Sequence, residues 1–434
     1  MALLAGCSNS RGTLASLTPP TVDLSPRATP RARSDSSGFS KNFFSAFPLV
    51  RLQISSNSGG ETAEAETLEF LFDTGNAGLS VLDVNVAQRL GLSLVPMGSV
   101  SFAGVTLPTL RARADRVQLF NRGGKERRLQ LNDVSFQVVD LTAFTELAGR
   151  RVDGILGYDV LRRFITTVDY QQQRVIFGNQ TITRQPATNS TMPVVTTSVS
   201  EAGAGKQNNR VVVPFELRNG WIVVKTQLNG NTPEEMILDT GASITTFSQN
   251  QAATLALDVS QARPTTLILP IGRLTYLPHR LREIEFGGLK LTDAASVVIS
   301  TREGLFTTGT GMSLLGANVL RHFRLTIDYG RRQLVLERHA EVDSDPHEYT
   351  SIGVLPMLRE GRFYVSGVVN GSPADEEGVE IGDEIIGLAG KGIDEYSFGE
   401  MVDALRGPDD SLLDIIVRRG QRTIELRLKR VRLL

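Results

Sequence analysis

From Phe47 onward apolar and polar residues follow each other in short runs of β character. Over Pro48–Ile54, Val50, Leu52 and Ile54 interleave with Leu49, Arg51 and Gln53, as in a strand with one face in a core. Thr67-Leu68-Glu69-Phe70-Leu71-Phe72 predicts a second strand, and short strands separated by turn residues continue to about Phe177. Residues 179–209 are polar and turn-rich and read as a linker. Strands resume at Val211, run to about Leu336, and give way to a charged stretch, Glu337 to Glu348. In the last segment Ser372-Pro373 starts a helix, Gly382-Asp383 makes a turn before a buried strand, and Phe398, Met401, Val402 and Leu405 share a helix face. Ile424, Leu426 and Leu428 alternate as a closing strand. Residues 8 to about 40 are rich in Ser, Pro, Thr and Arg and bury too little apolar surface to order themselves. The expected organisation is a tail over 1–40, β units over 41–178 and 210–340 joined by 179–209, and a smaller α+β module over 349–432.

The two β units are copies of one another. Residues 155–177 read ILGYDVLRRFITTVDYQQQRVIF and residues 314–336 read LLGANVLRHFRLTIDYGRRQLVL, at a constant offset of 159. Upstream of each lies a second shared element, LEFLFDTGNAGLSVLD at 68–83 and EEMILDTGASITTFS at 234–248. Two elements repeated in the same order exclude a chance match, so each unit contributes one Asp-Thr-Gly at the end of an apolar strand.

Composition narrows the function classes. At 434 residues and roughly 150 per domain, about three domains are expected. A net charge of -1 gives no global attraction to nucleic acid or anionic membrane, and the basic run Lys125–Arg128 has no interleaved aromatics. The single cysteine, Cys7, rules out an intramolecular disulfide. The four histidines, His279, His322, His339 and His347, have no metal-binding spacing, so neither a zinc site nor any cofactor is expected. Beyond residue 8 no run approaches the ~18 apolar residues of a membrane span.

An apolar strand, Asp-Thr-Gly, and a later apolar-apolar-Gly resemble the aspartic protease pattern. The resemblance covers roughly residues 45–178 and 210–337, each similar to one retropepsin-like subunit, so that the pair resembles the single-chain pseudodimer of pepsin-like enzymes. It implies a mostly β fold of two tandem lobes whose catalytic residues are Asp73 and Asp239. Two carboxyls a few Å apart share a proton; the ionised one deprotonates a bound water and the protonated one donates to the scissile carbonyl. Such a dyad titrates as a unit. Gly75 and Gly241 let the loops turn sharply. Thr74 and Thr240, by the resemblance, exchange hydroxyl–backbone bonds across the interface. Ile155-Leu156-Gly157 and Leu314-Leu315-Gly316 are implied to thread beside the catalytic loops, with short helices over 158–164 and 317–323. Pro96–Gly104 and Leu269–Tyr276 are candidate flaps or ordinary hairpins. The first loop departs from the family pattern. Leu92 lies 19 residues after Asp73, whereas Leu257 lies 18 after Asp239, and Asn76 stands where a small residue is usual. Its amide is placed to bond near the dyad.

Residues 349–432 resemble a bacterial PDZ domain, through Gly371-Ser372-Pro373-Ala374 and Glu377–Ile386. The resemblance implies that peptide C-termini dock at a carboxylate-binding loop, for which Ile352-Gly353-Val354-Leu355 is the candidate; the competing reading is a PDZ fold that only packs against the lobes. PDZ modules also accompany trypsin-like proteases, and Asn57-Ser58-Gly59-Gly60 superficially resembles their nucleophile loop, but no histidine precedes His279. Leu4-Ala5-Gly6-Cys7 resembles a bacterial lipobox, which implies lipidation of Cys7 and a periplasm-facing envelope protein held to the membrane only by its anchor. Six residues precede Cys7, so a complete signal needs others upstream; the competing reading is a spare thiol in a polar tail. The expected function is an aspartic endopeptidase acting as a monomer on peptide or protein substrates, docked by the PDZ module. The alternative is a catalytically inactive peptide-binding scaffold at the cell envelope.

Overall fold

The computed structural model describes residues 39–41, 46–55, 66–102, 105–119, 129–179, 210–269, 272–299, 312–340 and 347–433. The first lobe is one sheet of eight strands. Its order is Phe39–Lys41, Ala46–Ser55, Leu68–Phe72, Gly154–Leu156, Val81–Asp83, Leu129–Val139, Val105–Leu119 and Val95–Phe102. Phe39 and Ser40, which composition assigned to the tail, thus pair as a strand. The second lobe repeats the order with Glu216–Arg218, Trp221–Leu228, Glu234–Leu238, Ser313–Leu315, Thr245–Ser248, Leu289–Ile299, Gly272–Phe286 and Thr265–Leu269.

The lobes are joined by a five-stranded sheet, Arg174–Asn179, Phe164–Asp169, Phe323–Asp328, Gln333–Arg338 and Arg210–Pro214. Its centre is the antiparallel pair of repeat copies, with Thr167 opposite Thr326 and their hydroxyls 2.8 Å apart. These residues occupy the same position in the two copies, so the pseudo-twofold axis passes between them. The helices after each Leu-Gly are shorter than expected, Tyr158–Leu161 and Ala317–Leu320, because Phe164 and Phe323 already begin strands of this sheet. One continuous core runs through both lobes, from Phe70, Phe72 and Phe136 to Phe247, Phe286 and Phe323.

The C-terminal module has its own core around Ile352, Val354, Val365, Met401 and Ile415, and it is built onto both lobes. Its strand Arg362–Val369 pairs with Thr265–Leu269 of the second lobe, Thr266 facing Val368. The pairing needs Gly367, because a Cβ there would lie 2.8 Å from the Thr266 carbonyl oxygen. Against the first lobe, Arg359 forms a two-pronged ion pair with Glu146 on the helix Thr142–Ala148. That helix ends at Gly149 in the left-handed region (φ 63°), where a Cβ would meet the Phe398 ring at 1.8 Å. Gly149→Val should therefore both strain the backbone and displace Phe398, lowering stability by about 2–3 kcal/mol in denaturant melts. An unchanged midpoint would show that Phe398 is not seated on this turn.

Candidate active site

Both Asp-Thr-Gly segments are set by the same local geometry. The strand Leu68–Phe72 runs parallel to Gly154–Leu156, and Asp73 N–H donates to the Leu156 carbonyl at 3.1 Å. Glu234–Leu238 runs parallel to Ser313–Leu315, and Asp239 N–H donates to the Leu315 carbonyl at 3.0 Å. Each chain then turns toward the other lobe. Asp73 and Asp239 are 1% and 0% exposed. A Cβ on Gly75 would lie 2.5 Å from Asp239 Cγ, and one on Gly241 would lie 2.5 Å from Asp73 Cγ. Each carboxyl thus rests on the bare backbone of the opposite loop, and any side chain there would push the pair apart.

The loops are tied by reciprocal threonine bonds. Thr74 Oγ1 donates to the Leu238 carbonyl at 2.7 Å and Thr240 Oγ1 to the Phe72 carbonyl at 2.8 Å. Each hydroxyl also accepts the other threonine's N–H, at 3.0 and 3.1 Å. All four groups are buried, so none can exchange its partner for water.

Burial first, and then the charge of Asp239, push the Asp73 carboxyl well above the ordinary range. Asp73 Oδ2 and Asp239 Oδ2 are buried and accept no hydrogen bond from the described residues. They are the carboxyl oxygens this site leaves open, and a proton on one of them makes it a donor. Near the pair, Tyr170 and Tyr329 are held neutral, their phenols raised mainly by burial. Among the described residues no basic side chain pairs with either aspartate, and no cluster of three or more His, Cys, Asp or Glu side chains is placed to hold a metal.

Sequence reasoning missed a second tier of braces. Gly157 N–H donates to Ser80 Oγ at 3.0 Å, and Gly316 N–H to Thr245 Oγ1 at 3.3 Å. Ser80 is held by Asp159 Oδ1 and Thr245 by Asn318 Oδ1. Asp159 and Asn318 share the repeat offset, which was the available signal. The Asn76 expectation is corrected. Its side chain turns into its own loop, donating to the Leu79 carbonyl at 3.1 Å and accepting Gly78 N–H at 3.2 Å, and does not reach the carboxyls. Trp221 was also unforeseen; its indole N–H crosses the interface to the Gly75 carbonyl at 2.9 Å.

Residues 57–160 and 224–319 match the aspartyl protease family, and residues 364–419 match the PDZ domain. The lobes are retropepsin-like domains of the aspartyl protease family, and the third module is a PDZ domain. Among solved structures, a retropepsin-like aspartic protease from Rickettsia conorii aligns at 20% identity over 29% of this chain and 87% of that one, with a TM-score of 0.22. A photosystem II D1 C-terminal processing protease aligns at 24% identity over 20% of this chain and 24% of its own length, with a TM-score of 0.19. No curated protein matches the sequence.

The remaining sequence candidates divide. The hairpins Val95–Phe102/Val105–Leu119 and Thr265–Leu269/Gly272–Phe286 hold equivalent places at the ends of the two lobe sheets, but residues 103–104 and 270–271 at their tips lie outside the described residues, as do Cys7 and Ser58. Ile352, Gly353, Val354 and Leu355 are all buried. Ile352 and Val354 point into the PDZ core, and Leu355 packs with Ile244, Tyr276 and Val297 of the second lobe. The side chains of this candidate docking loop are therefore engaged by the PDZ core and, at Leu355, by the second lobe.

The threonine bonds carry a direct test. Thr74→Ala or Thr240→Ala leaves a buried carbonyl and a buried N–H unpaired and should cost about 2 kcal/mol or more. Denaturant melts should show similar losses for the two variants, with serine at either position restoring most of the stability. Asp73 carries another. The folded protein keeps this carboxyl protonated over a pH range in which the unfolded chain has released it, so stability falls as pH climbs from about 4 through the raised folded pKa. Asp73→Asn should unfold at higher denaturant than the native protein at pH 7, and the gain should shrink as pH falls toward 4. A gain that is constant with pH would contradict the raised carboxyl.

Proposed function

We propose that this chain is an aspartic endopeptidase that hydrolyses peptide bonds of protein substrates with the Asp73/Asp239 pair and an activated water. The observation that carries this reading is the pair itself: two buried carboxyls, one from each lobe, each lying on the glycine of the opposite loop, with both Oδ2 atoms unbonded among the described residues. Burial and mutual repulsion are what keep one proton on such a pair near neutral pH. A water held between the Oδ2 atoms gives a proton to the ionised carboxylate as its oxygen attacks the scissile carbonyl carbon. The protonated carboxyl gives its proton to the carbonyl oxygen, so the intermediate is a neutral gem-diol. Collapse returns a proton to the leaving amine and restores the singly protonated pair.

Both half-sites lie on one chain, so the active unit is a monomer. The PDZ module, pairing with the second-lobe hairpin and bonded to Glu146 of the first lobe, supports a bracing role in preference to free capture of peptide C-termini.

The test is cleavage of a proteome-derived peptide library across pH 4–8, with and without a statine-type inhibitor. Asp73→Asn and Asp239→Asn should each lower kcat by about 10³-fold or more while the folded state persists. Native activity in either variant, or no cleavage by the unsubstituted protein at any pH, would leave a peptide-binding scaffold.

A further inference from the structure

The two halves of the site are not equivalent, and the differences lie on one side. Tyr158 N–H donates to the Asn76 carbonyl and Ala317 N–H to the Ala242 carbonyl, at 2.9 and 2.7 Å, so Asn76 and Ala242 occupy the same place in the two loops. Ser80 and Thr245 also correspond, through their bonds to Gly157 and Gly316. The extra residue of the first loop is therefore among Ala77, Gly78 and Leu79. It changes what the loop offers its carboxyl. Asp239 Oδ1 accepts two backbone N–H groups, Gly241 at 2.8 Å and Ala242 at 3.0 Å. Asp73 Oδ1 accepts one, Gly75 at 2.7 Å, while Asn76 N–H turns to the main-chain carbonyl of Asp73 at 3.4 Å.

A residue of the other lobe holds this turn in place. Trp221 N–H bonds to the Gly75 carbonyl. The preceding Gly220 (φ 93°) passes so close to the insertion that a Cβ on it would lie 2.3 Å from the Ala77 carbonyl oxygen. In the strand register Leu49 faces Leu71 and Val223 faces Ile237. Phe47 therefore stands in the first lobe where Trp221 stands in the second, and a phenyl ring has no N–H to give.

We propose that Trp221 is a positioning residue: it holds the longer Asp73 loop with one backbone donor where Asp239 has two, so that the shared proton resides on Asp73 and Asp239 is the standing carboxylate. The physical basis is that each N–H donor stabilises the ionised form of the carboxyl it serves. Among the described residues, the groups near the pair do not cancel the difference. Tyr170 faces Asp239 and Tyr329 faces Asp73, both neutral, and no described basic side chain pairs with either aspartate. The catalytic meaning, Asp73 as acid toward the carbonyl and Asp239 as base toward water, rests on the peptidase reading; the inequality of the carboxyls does not.

The test separates the two. Carbon-13 NMR of aspartate carboxyls, in Asp239→Asn and Asp73→Asn proteins labelled at Cγ, measures the one carboxyl left in each without any substrate. Asp73 alone should titrate about one pH unit or more above Asp239 alone. Equal midpoints or the reverse order would overturn the inference even if the protein cleaves peptides, and the expected order would stand even if it cleaves none. Trp221→Phe, which gives the second lobe the residue the first lobe uses, should lower the Asp73 midpoint in the Asp239→Asn background by about one unit. In the active enzyme the same substitution should move the alkaline limb of kcat/KM to lower pH. A fall in rate at every pH with neither midpoint nor limb displaced would show that Trp221 only packs. As the sole tryptophan, Trp221 verifies by its fluorescence that folding is intact in the two aspartate variants, and far-UV circular dichroism does so where Trp221 is replaced.

Discussion

Two carboxyl groups that repel each other are held together in a buried site, and the fold must oppose that repulsion. The reciprocal bonds of Thr74 and Thr240 do so at the closest point, because each hydroxyl bonds to both main-chain partners of the opposite strand end. Their strength comes from burial: loosening the loops without admitting water would leave carbonyls and N–H groups unpaired in an apolar interior. The glycines matter for the complementary reason, since the carboxyls can lie on the opposite loop only where no Cβ intervenes.

Farther out, the same symmetry is built from strands. The joining sheet pairs the repeat copies about Thr167 and Thr326, so both lobes are anchored below the loops as well as at them. The core runs without a break across the interface. A rotation of one lobe against the other would disturb the grip, the sheet and the core together, which makes the separation of the carboxyls a property of the whole double lobe.

The PDZ module adds a third connection. It extends the second-lobe sheet at Thr265–Leu269, the outer strand of a hairpin equivalent to Val95–Phe102/Val105–Leu119, and it touches the first lobe at Glu146 and Gly149. Only the second-lobe hairpin is paired in this way among the described residues. The module therefore joins one edge of the double lobe to a helix of the first lobe.

Much of the architecture was legible in the chain. Period-two alternation marks strands because one face is buried, and the 159-residue offset between the copies of Leu-Gly and Asp-Tyr revealed two lobes without any knowledge of contacts. Asp73 and Asp239 could be singled out because a repeated Asp-Thr-Gly after an apolar strand carries its meaning locally. Neither the direction of the Asn76 amide nor the reach of Trp221 could be read in this way. The first depends on how an inserted residue turns a loop, and the second on a strand 146 residues away that arrives beside Gly75 only when the lobes close. The burial of Leu355 against the second lobe has the same origin. Sequence pattern determines which residues are apolar, repeated or able to turn. Which donor meets which acceptor between distant segments is decided by tertiary packing, because hydrogen bonds depend on angstrom-scale geometry that no local pattern encodes.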